Sequence, residues 1–161
     1  MNRIVQITPQ FAVTGALGPG DLVAAASAGF RSLLSNLPDG ELRGFPGSVE
    51  EAELASAAGL QFCHLPVRKG EIGWPALARA MRQALADLPA PILAHCASGQ
   101  RSALAWAAAA AGYHPAEAVL AVLAEKGFRF EPVRAELEDL AGQGQGPLPA
   151  GLELPRPPPA P

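Results

Sequence analysis

LAHCASGQRS (residues 93–102) joins an apolar run to an alanine-rich one through a loop of small residues. Residues 92–95 are short, apolar and preceded by Pro91, as suits a buried strand, and residues 101–111 have helical composition with Gly112 at their end. Cys96 therefore falls where a strand hands over to a helix whose first N–H groups lack intrahelical partners. The loop Ala97, Ser98, Gly99 and Gln100 can turn its N–H groups inward as a nest, and Arg101 adds a full positive charge. An anion is favoured there, and the first to benefit is the Cys96 thiolate. Such surroundings commonly lower a thiol pKa from about 8.5 to roughly 3.5–7.5, so Cys96 is expected to act as a nucleophile. Gly99 suits a backbone wrapped tightly on a ligand, and Ser102 is placed to donate its hydroxyl toward the sulfur.

Outward from this junction, short apolar runs alternate with segments of helical period. Residues 3–7, 11–14, 31–37 and 61–67 read as strands, and residues 21–28, 48–58, 75–88, 115–126 and 132–141 as helices. Ser48 and Glu51 have the spacing of a capping box. Pro38-Asp39-Gly40 is a turn, in which proline presets its own φ and glycine supplies freedom. Strands separated by helices of this length imply parallel crossovers, hence an α/β fold: a parallel-rich central sheet with helices on both faces. Ligands of such sheets sit beyond the carboxyl ends of the strands, where the Cys96 loop falls. Residues 1–141 are expected to form one domain. Residues 142–161, rich in Gln, Gly and Pro, are expected to be a disordered tail, because they offer little apolar surface to offset ordering entropy.

Composition narrows the function. A chain of 161 residues, 49% hydrophobic, suffices for one sizeable core. A net charge of −3 with scattered Lys and Arg argues against a nucleic-acid partner. The longest apolar run, residues 103–111, is far below the ~20 residues of a bilayer span, and residues 1–15 hold no apolar core of a secretory signal. The expectation is a cytoplasmic protein with no membrane partner. Two cysteines, Cys63 and Cys96, make no disulfide framework. Cys63 reads as a small buried hydrophobe, and His64 and His95 as side chains that fix loop backbone, with no zinc-site spacing. Glycines 15, 18 and 20 miss the dinucleotide fingerprint, so no cofactor or metal is expected. Leu104, Trp106 and the alanines around them read as core.

The pattern H-C-x-x-G-x-R-S resembles the active loops of cysteine phosphatases and of rhodanese-type sulfurtransferases. With FAVTGAL, SNLPDGE and HLPV, it resembles over residues 4–111 the bacterial phosphatase-like domain family of beta-lactamase-hydrolase-like proteins, also called a family of sulfur transferases. The resemblance implies a tyrosine-phosphatase-like fold. This chain has Leu37 where the family resemblance leads one to expect arginine, and Ala97 where rhodanese-type loops carry arginine after the cysteine, and both changes remove a cation near the site.

Loop length separates the two chemistries. Phosphatases resembling this fold place five residues between cysteine and arginine, enough to ring three phosphoryl oxygens, whereas four stand here, the rhodanese-type spacing. A phosphatase also needs an acid for its leaving alkoxide, which sulfur transfer does without. Asp39 reads chiefly as turn chemistry and is kept as a substrate-binding candidate, Glu41 reads as a solvated face, and Glu71, between strand and helix, is the better acid candidate. The expected function is therefore a rhodanese-type sulfurtransferase that moves sulfane sulfur through a Cys96 persulfide. Cys96, Arg101, Ser102 and Glu71 are its catalytic candidates, Ala97, Ser98, Gly99, Gln100 and Asp39 its substrate-binding ones, and small-molecule or protein sulfur donors and acceptors its partners. The alternatives are a cysteine-dependent phosphatase acting through a phosphocysteine, and a non-catalytic module that binds an anion or carries a persulfide.

Overall fold

The computed structural model describes residues 2–70 and 72–156. Five strands form one sheet: β1 (Val5–Thr8), β2 (Phe11–Thr14), β3 (Ser32–Ser35), β4 (Gln61–His64) and β5 (Ile92–His95). Their order is β1-β2-β5-β3-β4, with β1 antiparallel to β2 and every other pairing parallel. Among the described residues, six α-helices surround the sheet: α1 (Pro19–Ser27), α2 (Ser48–Ala57), α3 (Trp74–Asp87), α4 (Gln100–Ala110), α5 (Ala116–Glu125) and α6 (Arg134–Asp139). The expected α/β architecture is present, and each expected element lies within a few residues of its place.

Strand alternation sorts the core into two layers. Ala12, Leu33 and Leu93 face α1 and α2 in a smaller cluster completed by Leu17, Leu22, Ala25, Ala55 and Leu60. Their strand neighbours Phe11, Val13, Leu34, Ile92 and Ala94 face the opposite way, onto a larger cluster built with α3, α4, α5 and α6. The alanine face of α4 lets that helix lie close against the sheet. Trp106 is fully buried and stacks on Phe11 with ring centroids 6.3 Å apart, while Leu104 is half-buried.

This layering positions the site. The chain leaves β3 toward α2 on one face and leaves the adjacent β5 toward α4 on the other, so the loops diverge and open a crevice between them. The ladder aligns Thr14, His95, Ser35 and His64 at one edge, so Cys96 emerges at the centre of the carboxyl edge of the sheet.

Two expectations need correction. The capping box does not form: Gly47 is the N-cap of α2, the Ser48 amide and hydroxyl donate to Asp39 at 2.7 Å each, and Glu51 reaches across to β5 instead. Asp39 outcompetes Glu51 because the turn of residues 38–40 brings its carboxylate directly over the start of the helix. Residues 150–152, expected within a disordered tail, also pack on the domain. Leu152 is fully buried within a 3-10 turn (Ala150–Leu152), and Gly151 O accepts the Trp106 indole N–H at 2.9 Å and the Thr8 hydroxyl at 3.3 Å. A buried indole N–H must find an acceptor, and composition does not reveal that demand. No described helix is long and apolar enough to cross a membrane.

Candidate active site

Cys96 follows β5 directly and is fully buried. The chain beyond it turns back at once, because Gly99 adopts φ +92°, a left-handed conformation that glycine reaches without Cβ strain, and serves as the N-cap of α4. The turn sends the Gly99 N–H to Cys96 Sγ at 3.1 Å, so one loop donor does face the sulfur as expected. A Cβ on Gly99 would meet the Thr14 carbonyl at 3.5 Å. The far side of the loop is closed by the β2–α1 connection, where the Ala16 N–H donates to Ala97 O at 3.3 Å. A Cβ on Gly15 would crowd that approach, lying 3.0 Å from the same oxygen. Ala97 is half-buried, and Ser98 and Gln100 are exposed.

Arg101, in the first turn of α4, folds back beneath the loop and is nine-tenths buried. Its Nη1 donates to Val67 O at 2.6 Å and to Glu41 Oε1 at 3.0 Å, and its Nη2 donates to Glu41 Oε2. Glu41 is thus no solvated face: it grips the guanidinium with both oxygens, the geometry by which arginine holds any planar or tetrahedral oxyanion. The Arg101 hydrogen bond holds the Glu41 carboxyl below the usual carboxylate range against the cost of desolvation, helped by the charges of Arg101, Lys69 and Arg68.

Ser102 does not turn toward the sulfur. Its hydroxyl donates to Asn36 Oδ1 at 2.8 Å, because the Asn36 amide, anchored by its own bond to Leu65 O at 2.9 Å, presents its oxygen to α4. Asn36 also links the strand ends through its backbone: its N–H donates to His95 O at 2.7 Å, and its carbonyl accepts from Val67 at 2.9 Å. Asn36 is not among the candidates drawn from the sequence, yet the sequence carries one signal for it, a polar side chain straight after an apolar strand, which must find partners if buried.

Asp39 is committed to α2. The Ser48 hydroxyl bond, then the Ser48 amide, holds its carboxyl below the usual range, and no described contact brings it to the Cys96 loop. Glu71 lies outside the described residues. His64 behaves as expected, donating from Nε2 to Leu37 O at 2.8 Å. His95 instead meets a carboxylate, Glu51 Oε1, at 2.5 Å, with both side chains buried and Nδ1 unpartnered. Cys63 is a half-buried thiol packed against the larger core, and that burial pushes its pKa up. Among the described residues, no three His, Cys, Asp or Glu side chains gather as a metal site.

Sheet order, a cysteine at the central strand end and an arginine in the first turn of the following helix together define a tyrosine-phosphatase-like α/β domain. Residues 3–113 match the family model described as the beta-lactamase hydrolase-like protein, phosphatase-like domain, and the chain belongs to that family. It is 33% identical over 100 residues to a beta-lactamase hydrolase-like protein of Agrobacterium fabrum, covering 62% of this chain and 23% of the relative. A namesake from Xylella fastidiosa is 33% identical over 105 residues, covering 65% and 24%. The chain thus spans about a quarter of the length of these curated relatives. Among solved structures, it resembles a candidate phosphatase of Neisseria meningitidis, with TM-score 0.72, 24% identity, and coverage of 85% of this chain and 97% of that one. It also resembles a kinase associated phosphatase, with TM-score 0.66, 17% identity, and coverage of 86% and 92%. At these identities, both likenesses concern the fold.

Proposed function

We propose that this chain is a cysteine-dependent hydrolase of phosphate esters, with Cys96 as nucleophile. One observation carries the reading: Cys96 Sγ sits at the carboxyl end of the central strand, takes the Gly99 N–H at 3.1 Å, and has Arg101 one helical turn behind it. Sγ would attack phosphorus as the ester P–O bond breaks, leaving a phosphocysteine that water then hydrolyses. Arg101 would hold two equatorial oxygens with the fork that now holds Glu41, and the loop N–H groups the third. The phosphatase names in the family description and among the fold neighbours support this reading over sulfur transfer, the function expected from loop length.

The leaving group needs a proton. Glu41 is kept ionised on Arg101 and Asp39 is kept ionised on Ser48, so neither suits the role in this arrangement. Glu71 therefore stays the proposed donor.

Sulfur transfer is the second reading, and one observation favours it: only four residues separate Cys96 from Arg101, so the loop offers fewer donors than a phosphoryl group uses. Its partners would be a sulfur donor and a thiol or similar acceptor. Intact-protein mass spectrometry separates the two. After rapid quenching with an aryl phosphate, a gain of one phosphoryl group that disappears in Cys96→Ser is expected. A gain of one sulfur atom from thiosulfate or glutathione persulfide, with no phosphoryl adduct, would reverse the order.

A further inference from the structure

A second site lies at the other end of α4 from Cys96. A cavity of about 350 Å3 is lined by Arg79, Arg82 and Gln83 of α3 and by Gln143 and Gln145 of the C-terminal segment. Arg79 and Arg82 stand one turn apart on one face of their helix. Among the described residues, no acidic side chain lines the cavity and no ion pair engages either arginine. Arg82 Nη1 is buried without a hydrogen-bond partner. That nitrogen is closed to solvent against Gly112, which fixes the guanidinium, and the rest of the Arg82 side chain borders the cavity.

The far wall is built rather than draped. The Gly144 N–H donates to Gly112 O at 3.1 Å, and the Tyr113 hydroxyl donates to Gln145 O at 2.7 Å. Gly112 and Gly144 leave no room for side chains: a Cβ on Gly112 would lie 2.9 Å from Gly144 N and 3.1 Å from Arg82 Nη1, and one on Gly144 would lie 2.8 Å from the Tyr113 ring. Gln143 is anchored to Asp139 O at 3.1 Å, and Gln83 to Asp87 at 2.9 Å, which orients both amides. Residues 143–145 of this wall lie beyond residues 3–113, in the part of this chain that the family match does not include.

We infer that this cavity is a binding site for a small tetrahedral oxyanion, phosphate or a phosphate group on a small molecule. Its size is at the low end of ligand pockets, ~300–1,000 Å3, and its charged lining groups are two arginines, the side chain best matched to oxyanions. The inference is independent of the chemistry at Cys96.

Calorimetric titration of the full chain with inorganic phosphate tests it. Arg79→Gln, at an exposed position, and Gln145→Glu, which puts a negative charge into the cavity while keeping the backbone oxygen that Tyr113 uses, should each weaken binding by roughly tenfold or more. Arg82→Gln should do at least as much, and Arg101→Gln should leave this site intact. A glucose phosphate titrated in parallel reports whether the cavity admits an esterified phosphate as well as the free ion. Absence of phosphate binding at millimolar concentration would overturn the inference, as would binding that survives the Arg79, Arg82 and Gln145 variants but vanishes with Arg101→Gln.

Discussion

At Arg101, one guanidinium nitrogen donates to both Glu41 and Val67 O while the other completes the grip on Glu41, so the charge that an incoming anion needs is already engaged. On the proposed phosphatase reading, Glu41 is an internal competitor for that anion. Glu41→Gln removes the negative charge, and product phosphate should inhibit the variant more strongly than the wild type, as its inhibition constant would show. The pair also links stability to pH. A carboxyl whose pKa is lowered on folding stabilises the folded state above its unfolded pKa, and this contribution is lost as pH falls through the lowered value. Wild type should therefore melt above Glu41→Gln at neutral pH, and the difference should shrink once pH falls below the usual carboxylate range. Thermal melts across that range check the sign. Arg101→Lys keeps the charge but cannot bridge Val67 O and both Glu41 oxygens in one plane. Turnover should fall by roughly tenfold or more while the fold persists, and an unchanged rate would leave Arg101 a purely structural residue.

Between elements, the site depends on ties that cross the sheet. Glu51 of α2 holds His95 of β5, and the His95 ring has no other hydrogen bond, since Nδ1 is unpartnered. Glu51→Ala leaves a buried imidazole with no partner, at a cost of about 1–3 kcal/mol, whereas Glu51→Gln keeps an acceptor oxygen and should recover much of the loss. Urea unfolding of the two variants measures this, and equal stabilities would show that the contact contributes nothing. Gly99 ties the loop to α4 by its φ of +92° rather than by a side chain. Gly99→Ala should cost about 1–2 kcal/mol from backbone strain, because a Cβ there meets Thr14 at an ordinary contact distance of 3.5 Å. The same strain displaces the N–H that faces Cys96, so activity should fall more than stability does.

Across the whole molecule, the C-terminal segment completes the larger core. Truncation after Ala141 removes Leu152, worth about 1.5–3 kcal/mol of burial, and strips the Trp106 indole of its acceptor, at about 1–3 kcal/mol. The shortened chain should lose about 3 kcal/mol or more of unfolding free energy in urea. A truncated protein as stable as the full chain would place residues 142–156 outside the folding unit.

The alternation of apolar runs and helical segments determined the α/β class, and strand, cysteine, glycine and arginine within one loop marked the candidate site, because those signals act between residues close in the chain. Gly99 N–H meets Cys96 Sγ across three residues, and that contact was legible. The contacts that give the site its character span far more chain: 60 residues from Arg101 to Glu41, 66 from Ser102 to Asn36, and 44 from His95 to Glu51. Glu41 looked like any surface carboxylate and Ser102 like a partner for the nearest sulfur, since local spacing says nothing of which distant polar group burial will bring within reach. Trp106 and the proline-rich segment make the same point. Composition measures what a segment brings to the fold, while the buried donor waiting for Gly151 O exists only once the sheet and α4 have assembled.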